Sequence, residues 1–304
     1  MSIETVTHGK VTWTNIEKPT LEDIEVLRRN YNFHPLDLED CLSKIERPKI
    51  DEYEDYLFIV MHFPVYDHDQ RISRPSEVDF FIGSGYLVTV HDGILGPIYQ
   101  LFDDCQRYER TRARHMGREA SRLLYGVIDA LVDYCFPVLD KVDSNIHDIE
   151  EEVFTADMRC VVQDISIVRR DIIALRRIIR PQIAIVANLE QKDRPFIREE
   201  LDVYFGDIVD HLNKAWDILE DHREVVEGLS ETSDSVISYR INEVMRILTV
   251  ISVVLLPLTL LSGIYGMNIH LPLAKHPLSF IFIIGLMILT GGGMLFYFKH
   301  RGWL

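Results

Sequence analysis

An α+β soluble domain followed by a long stalk helix and two C-terminal membrane helices is the fold class that this 304-residue sequence predicts. Three observations carry the prediction. Two charge-free apolar stretches, Ile247 to Met267 and Leu278 to Phe298, stand near the end of the chain. Each is about 21 residues, and at about 1.5 Å of rise per residue either one crosses a hydrocarbon core of about 30 Å. No proline interrupts a helical period that runs from Arg198 to Pro257. The first third, by contrast, alternates β-branched and aromatic runs with turn-formers. A pair of buried core helices is the other reading of the two apolar stretches.

In chain order, strands are expected at Lys10 to Asn15, Tyr56 to Val65, Glu77 to Ile82 and Tyr86 to His91, around the turn-formers Gly83-Ser84-Gly85 and Asp92-Gly93. Helices are expected at Leu21 to Tyr31 and Leu36 to Ser43. These make residues 1–115 a small N-terminal cytosolic α/β domain. From about Gly117 the apolar residues fall at helical spacing, as in Ile165, Val168, Ile172, Leu175 and Ile179, with breaks near Ala156-Asp157, Arg180-Pro181 and Asp193-Arg194-Pro195. Residues 116–246 then form a cytosolic helical domain and the stalk. Ile208, Leu212, Trp216, Leu219, Val226, Leu229, Val236, Ile237 and Val244 keep one period into the first span, so a single helix is expected from Arg198 to Gly263. A helix that long needs other helices or copies of itself to cover it, which points to an oligomeric stalk. Residues 247–304 are the transmembrane domain: a first span at 247–267, an external loop at 268–277, a second span at 278–298 and a basic tail at 299–304.

Arg240 and Arg246 precede the first span and Lys299 and Arg301 follow the second, whereas the loop carries only Lys275, so both termini are expected in the cytoplasm of a cell (inner) membrane. The polar start, Met1 to Lys18, reads as no cleavable signal peptide. Four scattered cysteines, Cys41, Cys105, Cys135 and Cys160, lack paired spacing and read as reduced thiols. A formal net charge of −16 argues against nucleic acid or anionic lipid as the partner of the soluble part and makes cations its natural counter-charge. No phosphate-binding glycine loop, nucleophile elbow or H-E-x-x-H pattern occurs, so an enzyme is not expected and no cofactor is implied. The acid-rich stretch Asp140 to Glu152 reads as a solvated helical face. His62, His211 and His222 read as structural.

One stripe of the long helix mixes polar and apolar groups. Asn242, Met245, Thr249, Ser252, Leu256, Thr259 and Gly263 follow steps of three or four. Rings of amide and hydroxyl oxygens separated by Met and Leu collars suit a pore for a hydrated cation. The same small and polar residues also suit helix packing in lipid, and Pro257 fits either reading.

Tyr265-Gly266-Met267-Asn268 after the first of two C-terminal spans, with Asn242-Glu243-Val244-Met245, Pro257-Leu258-Thr259 and the closing Tyr297 to Leu304, resembles the CorA family of magnesium and cobalt channels. His34-Pro35-Leu36 with Leu38-Glu39-Asp40, Arg47-Pro48-Lys49 and Ile128 to Asp133 match the family's soluble domain in order. The resemblance implies a homopentameric funnel and a passive channel for Mg²⁺ and Co²⁺, driven by membrane potential. It implies that Asn268 from five subunits binds hydrated Mg²⁺, with Gly266 letting the chain leave the helix and Tyr265 and Met267 positioning the loop. It places the gate at Asn242, Met245, Leu248 and Leu256, an acidic pore ring at Glu231, and a basic ring at Lys299, His300 and Arg301. Regulatory Mg²⁺ between subunits falls to Asp40, with Glu39 beside it, and to Asp207 and Asp129. Two departures stand out: Leu256 replaces a frequent Met, and the loop Ile269 to Pro277 lacks the carboxylate many members carry. With His270 and His276 in that loop, a proton-coupled Zn²⁺ transporter of the same superfamily and a non-transporting membrane cation sensor remain the alternatives.

Overall fold

The computed structural model describes residues 3–43, 45–191, 196–197, 199–267 and 278–303. They fall into two compact units, Met1–Ser230 and Glu231–Leu304, and the subdivision expected near residue 115 lies inside the first.

The first unit begins with β1 (Ile3–His8) and β2 (Val11–Glu17), then α1 (Leu21–Asn30) and α2 (Pro35–Asp40). Thr20 and Asp23 close a reciprocal capping box on α1. Pro35 opens α2, where His34 Nδ1 accepts the Leu36 N–H at 3.3 Å. Four further strands follow: β3 (Lys49–Glu52), β4 (Tyr56–Asp67), β5 (Ile72–Gly83) and β6 (Tyr86–His91). The six-stranded sheet has the order β1-β2-β6-β5-β4-β3 and is antiparallel apart from the β2–β6 pair. Gly85, at φ +88°, makes the turn between β5 and β6, and a side chain there would meet the Lys10 carbonyl.

Apart from His62, β4 reads as an apolar run from Tyr56 to Val65, because both of its faces are covered. Phe58 and Val60 join Phe33, Leu38 and Phe81 in the cluster under α1 and α2, with the Phe33 and Phe81 rings stacked at 4.2 Å. The opposite face meets helices. These are α3 (Gly96–Arg107), α4 (Glu109–Met116), α5 (Ala120–Asp133), α6 (Cys135–Glu152) and α7 (Met158–Gln191), of which α7 packs on β4 and β5. Two ties fix α7 to the sheet: Asp171 Oδ1 accepts the Ser73 N–H at 2.6 Å, and Arg71 pairs with Asp164 at 2.6 Å.

The break expected at Arg180-Pro181 is absent: α7 runs through Pro181. Ile172, Leu175, Ile179, Val186 and Leu189 are all buried on both sides of the proline, and this burial outweighs one lost backbone bond. The buried Gln182 amide adds a donor next to the gap, to the Ile178 carbonyl at 2.9 Å. The break expected at Asp193-Arg194-Pro195 lies outside the described residues.

After a short 3-10 turn, Glu199–Leu201, comes α8 (Asp202–Tyr265), 64 residues in one helix. Its early part packs into the first unit, where Phe205, Ile208, Leu212, Ala215 and Leu219 are buried and the Arg176 and Arg180 guanidiniums lie over the Trp216 ring at 4.9 and 5.1 Å. In the second unit α9 (Ser279–His300) ends in a Schellman turn. Trp303 N–H donates to the Phe298 carbonyl, Gly302 N–H donates to that of Lys299, Gly302 takes φ +72°, and the Phe298 and Trp303 rings meet at 5.6 Å. The apolar windows of α8 and α9 are long enough to cross a membrane and only 11% and 6% buried, so they are not core helices of this chain.

Two outcomes test this account. Phe81→Ala should destabilise the protein by about 3–5 kcal/mol in denaturant unfolding, because it empties the centre of the α1/α2 cluster. Gly302→Ala should cost about 1 kcal/mol at the end of α9, read as a lower unfolding temperature, because a side chain resists the left-handed turn.

Candidate functional site

Within the second unit, α8 has two unlike faces. Val250 and Val254 are buried and Pro257, Leu258, Leu261 and Tyr265 are half-buried, at helical spacing. Leu258 lies against Gly291 of α9, where an added Cβ would stand 3.5 Å from its Cδ1. The stripe Asn242, Met245, Thr249, Ser252, Leu256, Thr259 and Gly263 is exposed throughout, as is Leu248.

The hydroxyls of that stripe are turned back onto the helix. Thr249 Oγ1 donates to the Met245 carbonyl at 2.7 Å, Ser252 Oγ to Leu248 at 2.9 Å and Thr259 Oγ1 to Leu255 at 2.9 Å. Each hydrogen is thereby committed, and each oxygen offers only acceptor lone pairs to whatever lies outside. Glu231 is exposed as well, and its carbonyl accepts the Ser235 hydroxyl at 3.0 Å.

At the far end, Tyr265 closes α8. Gly266 N–H bonds the Ser262 carbonyl at 2.9 Å and Met267 N–H that of Ile264 at 3.3 Å, which tightens the last turn. A Cβ on Gly266 would come within 3.0 Å of the Ser262 oxygen, closer than side chains are ordinarily held. Asn268 lies outside the described residues, with His270 and His276. At the end of α9, Lys299, His300 and Arg301 are exposed, Arg301 lies over the Tyr297 ring at 5.8 Å, and Arg246 of α8 reaches the Gly302 carbonyl at 3.5 Å.

In the first unit the four expected carboxylates occupy two places. Glu39 is exposed on α2, while Asp40 beside it already holds Lys49 at 2.7 Å. Lys49 also reaches Asp51 at 2.9 Å; partial burial works against its charge, but the two carboxylates hold its pKa above the ordinary lysine value. Asp129 and Asp207 come near each other, from α5 and α8. Burial, then the charges of Asp133 and Asp207, push the Asp129 carboxyl above the usual range, with His211 pulling the other way. His211 in turn stands 3.6 Å from Asp133.

Asp133, His211 and Lys49 therefore belong to these two places, although the sequence reading took His211 as structural and gave Lys49 and Asp133, inside matched motifs, no site role. Asp133 was legible, being one helical turn after Asp129 on the same face. The Lys49 contact depends on β3 lying beside α2, which no local pattern announces. His62 pairs with Glu77 at 3.2 Å and His222 with Asp143 at 3.3 Å. Among the described residues of one chain, no three His, Cys, Asp or Glu side chains converge to hold a metal.

The family described as CorA-like Mg²⁺ transporter protein matches residues 8–300. The cobalt/magnesium transport protein CorA of Thermotoga maritima is 32% identical over 295 residues, covering 96% of this chain and 83% of that protein. The zinc transport protein ZntB of Pectobacterium atrosepticum is 21% identical over 187 residues, covering 61% and 57%. Among solved structures, the complete CorA magnesium transporter of Methanocaldococcus jannaschii matches the fold at a TM-score of 0.86 and 22% identity, covering 98% of this chain and 94% of that one. With the family match running from β1 to the end of α9, the chain belongs to the CorA-like Mg²⁺ transporter family.

Proposed function

We propose that this protein is a passive divalent-cation channel, a homopentamer in the bilayer whose α8 helices line one central pore and admit Mg²⁺ and Co²⁺ down the membrane potential. The observation that carries the reading is the exposed stripe of acceptor-only oxygens on α8, opposite the face that α9 covers. A hydrated cation points its water hydrogens outward, and Mg²⁺ sheds that water reluctantly, so lone pairs without competing donors are the right lining. Met245, Leu248 and Leu256 form collars that close by dewetting, with Asn242 below them. Glu231 concentrates cations at the entrance of the pore from the cytoplasm. Asn268 grips the hydrate at the outer mouth through its carbonyl. The relatives named for magnesium and cobalt transport support the same ions.

In this reading residues 1–115 and 116–246 stay in the cytoplasm, residues 247–304 span the cell (inner) membrane, and Lys299, His300 and Arg301 ring the pore at its inner edge. Cytoplasmic Mg²⁺ closes the channel by bridging Glu39 and Asp40 of one subunit to Asp207 and Asp129 of the next. The raised pKa of Asp129, due first to burial and then to the charges of Asp133 and Asp207, supports this, since a buried carboxylate beside others gains from a cation. The chain carries cations and performs no catalysis. The relative named for zinc transport supports a second reading, proton-coupled Zn²⁺ entry.

Liposomes holding the purified protein should take up Mg²⁺ under an imposed potential without a proton gradient, and Asn268→Ala should abolish that uptake. Undiminished Mg²⁺ entry in the variant rejects the Asn268 ring. Zn²⁺ entry that requires a proton gradient selects the second reading, and ligand-dependent conformational change without flux of any ion selects a sensor. Asp129→Asn should raise the unfolding temperature of the metal-free protein at pH 7 and should shrink the stabilisation that added Mg²⁺ brings. Because the folded pKa is raised, ionised Asp129 costs stability above that value and nothing below about pH 3.9, so the gain from asparagine should fade as the pH is lowered.

A further inference from the structure

A cavity of about 450 Å³ opens at the N-terminus of α5, lined by Arg114, Arg118, Arg122, Ser121 and Tyr204 together with Glu119 and Glu200. In a chain with 48 acidic and 32 basic side chains, most arginines would be expected to find a carboxylate. Among the described residues Arg114, Arg118 and Arg122 form no ion pair, whereas Glu119 and Glu200 each have a partner. Arg122 is held in place by the rings of Tyr204 and Tyr125, at 4.7 and 5.4 Å.

The helix end adds to this charge. α5 is 14 residues long and its N-cap residue Glu119 makes no side-chain cap; the Arg122 N–H turns back to the Glu119 carbonyl at 3.2 Å, and the positive end of the helix dipole faces this region. Ser121, on that first turn, is 99% buried and its hydroxyl has no hydrogen-bond partner. An orphaned buried hydroxyl is costly unless something supplies the missing bond. Nearby, burial and then the charges of Arg114 and Arg122 lower the His115 pKa, so the local potential is positive.

We propose that this cavity binds a phosphate-bearing anion, with Arg114, Arg118 and Arg122 on its oxygens, the α5 N-terminus and Ser121 on the innermost phosphate, and room for a nucleoside polyphosphate. Arginines on α4, on α5 and in the loop between them, and Tyr204 on α8, close on one ligand. Occupancy therefore ties the start of α8 to α5. The proposal stands apart from the transport reading, because it concerns binding of an anion to the first unit.

The test titrates ATP, pyrophosphate and inorganic phosphate, each in EDTA, into the purified full chain by calorimetry. Saturable binding is expected that weakens with salt, falls about tenfold or more in Arg114→Gln/Arg118→Gln and falls less in Ser121→Ala. Inorganic phosphate binding as well as ATP identifies the phosphate group as the ligand; ATP alone identifies the nucleotide. No saturable binding of any of the three, or binding unchanged by the double substitution, overturns the proposal. If the double variant does not fold, photolabelling of the unmodified chain with azido-ATP decides: label between residues 113 and 122 or at Tyr204 is expected, and label confined to other peptides overturns it.

Discussion

The aqueous part of a 64-residue helix must find cover, because an isolated helix in water holds its length only where side chains pack along it, whereas lipid leaves the backbone no partner but the helix itself. α8 meets this requirement differently along its course. Between Phe205 and Leu219 the cover comes from within the first unit, where the Trp216 ring lies under two guanidiniums. Around Val250 to Leu258 one side is covered by α9 and the other is bare. The bare side is the one whose hydroxyls are already satisfied by the helix backbone, so leaving it open to a polar medium strands no donor. The exposure of that stripe and the satisfaction of its hydrogens are two aspects of one design.

The first unit manages its surplus of acid by burial as much as by pairing. Asp37 is pushed up by burial and steadied by hydroxyl donors from Tyr56 and Tyr53 at 2.8 and 3.1 Å. Asp79, almost wholly buried near Glu77, is pushed up much further. Asp171 is raised by its burial while the Ser73 N–H draws it back down. These carboxyls sit where strands of the sheet meet α2 and α7, so pH acts on those joints.

Legibility in the sequence followed physical distinctness. The four strands with apolar or aromatic runs could be read because burial of both faces leaves a dense signal, whereas β1 and β3 could not. Their residues Glu4, Thr5 and Thr7, and Lys49 to Glu52, are those of exposed sheet edges, where pairing is fixed by neighbours rather than by pattern. The long helix and the apolar helix after it were plain because a charge-free run of about 20 residues has the length of a membrane-crossing helix. Pro181 misled because a local rule was overridden by the burial of Ile172, Leu175, Val186 and Leu189. Of the site, the exposed stripe could be derived from spacing alone. The nearness of Asp129 to Asp207 needed the tertiary fold, since it joins elements far apart in the chain, and the capture of Asp40 by Lys49, only nine residues on, needed the path of the loop that brings β3 back beside α2.

The Lys49 contact bears on any cation that approaches Asp40. That carboxylate is not vacant: an ammonium is lodged on it at 2.7 Å and is itself shared with Asp51. Occupation by a divalent ion is therefore an exchange reaction, in which an internal competitor of fixed effective concentration must be displaced. Such a competitor cannot be diluted away, and it sets a threshold that a bare carboxylate would lack, so Asp40 would respond to abundant cations and ignore traces.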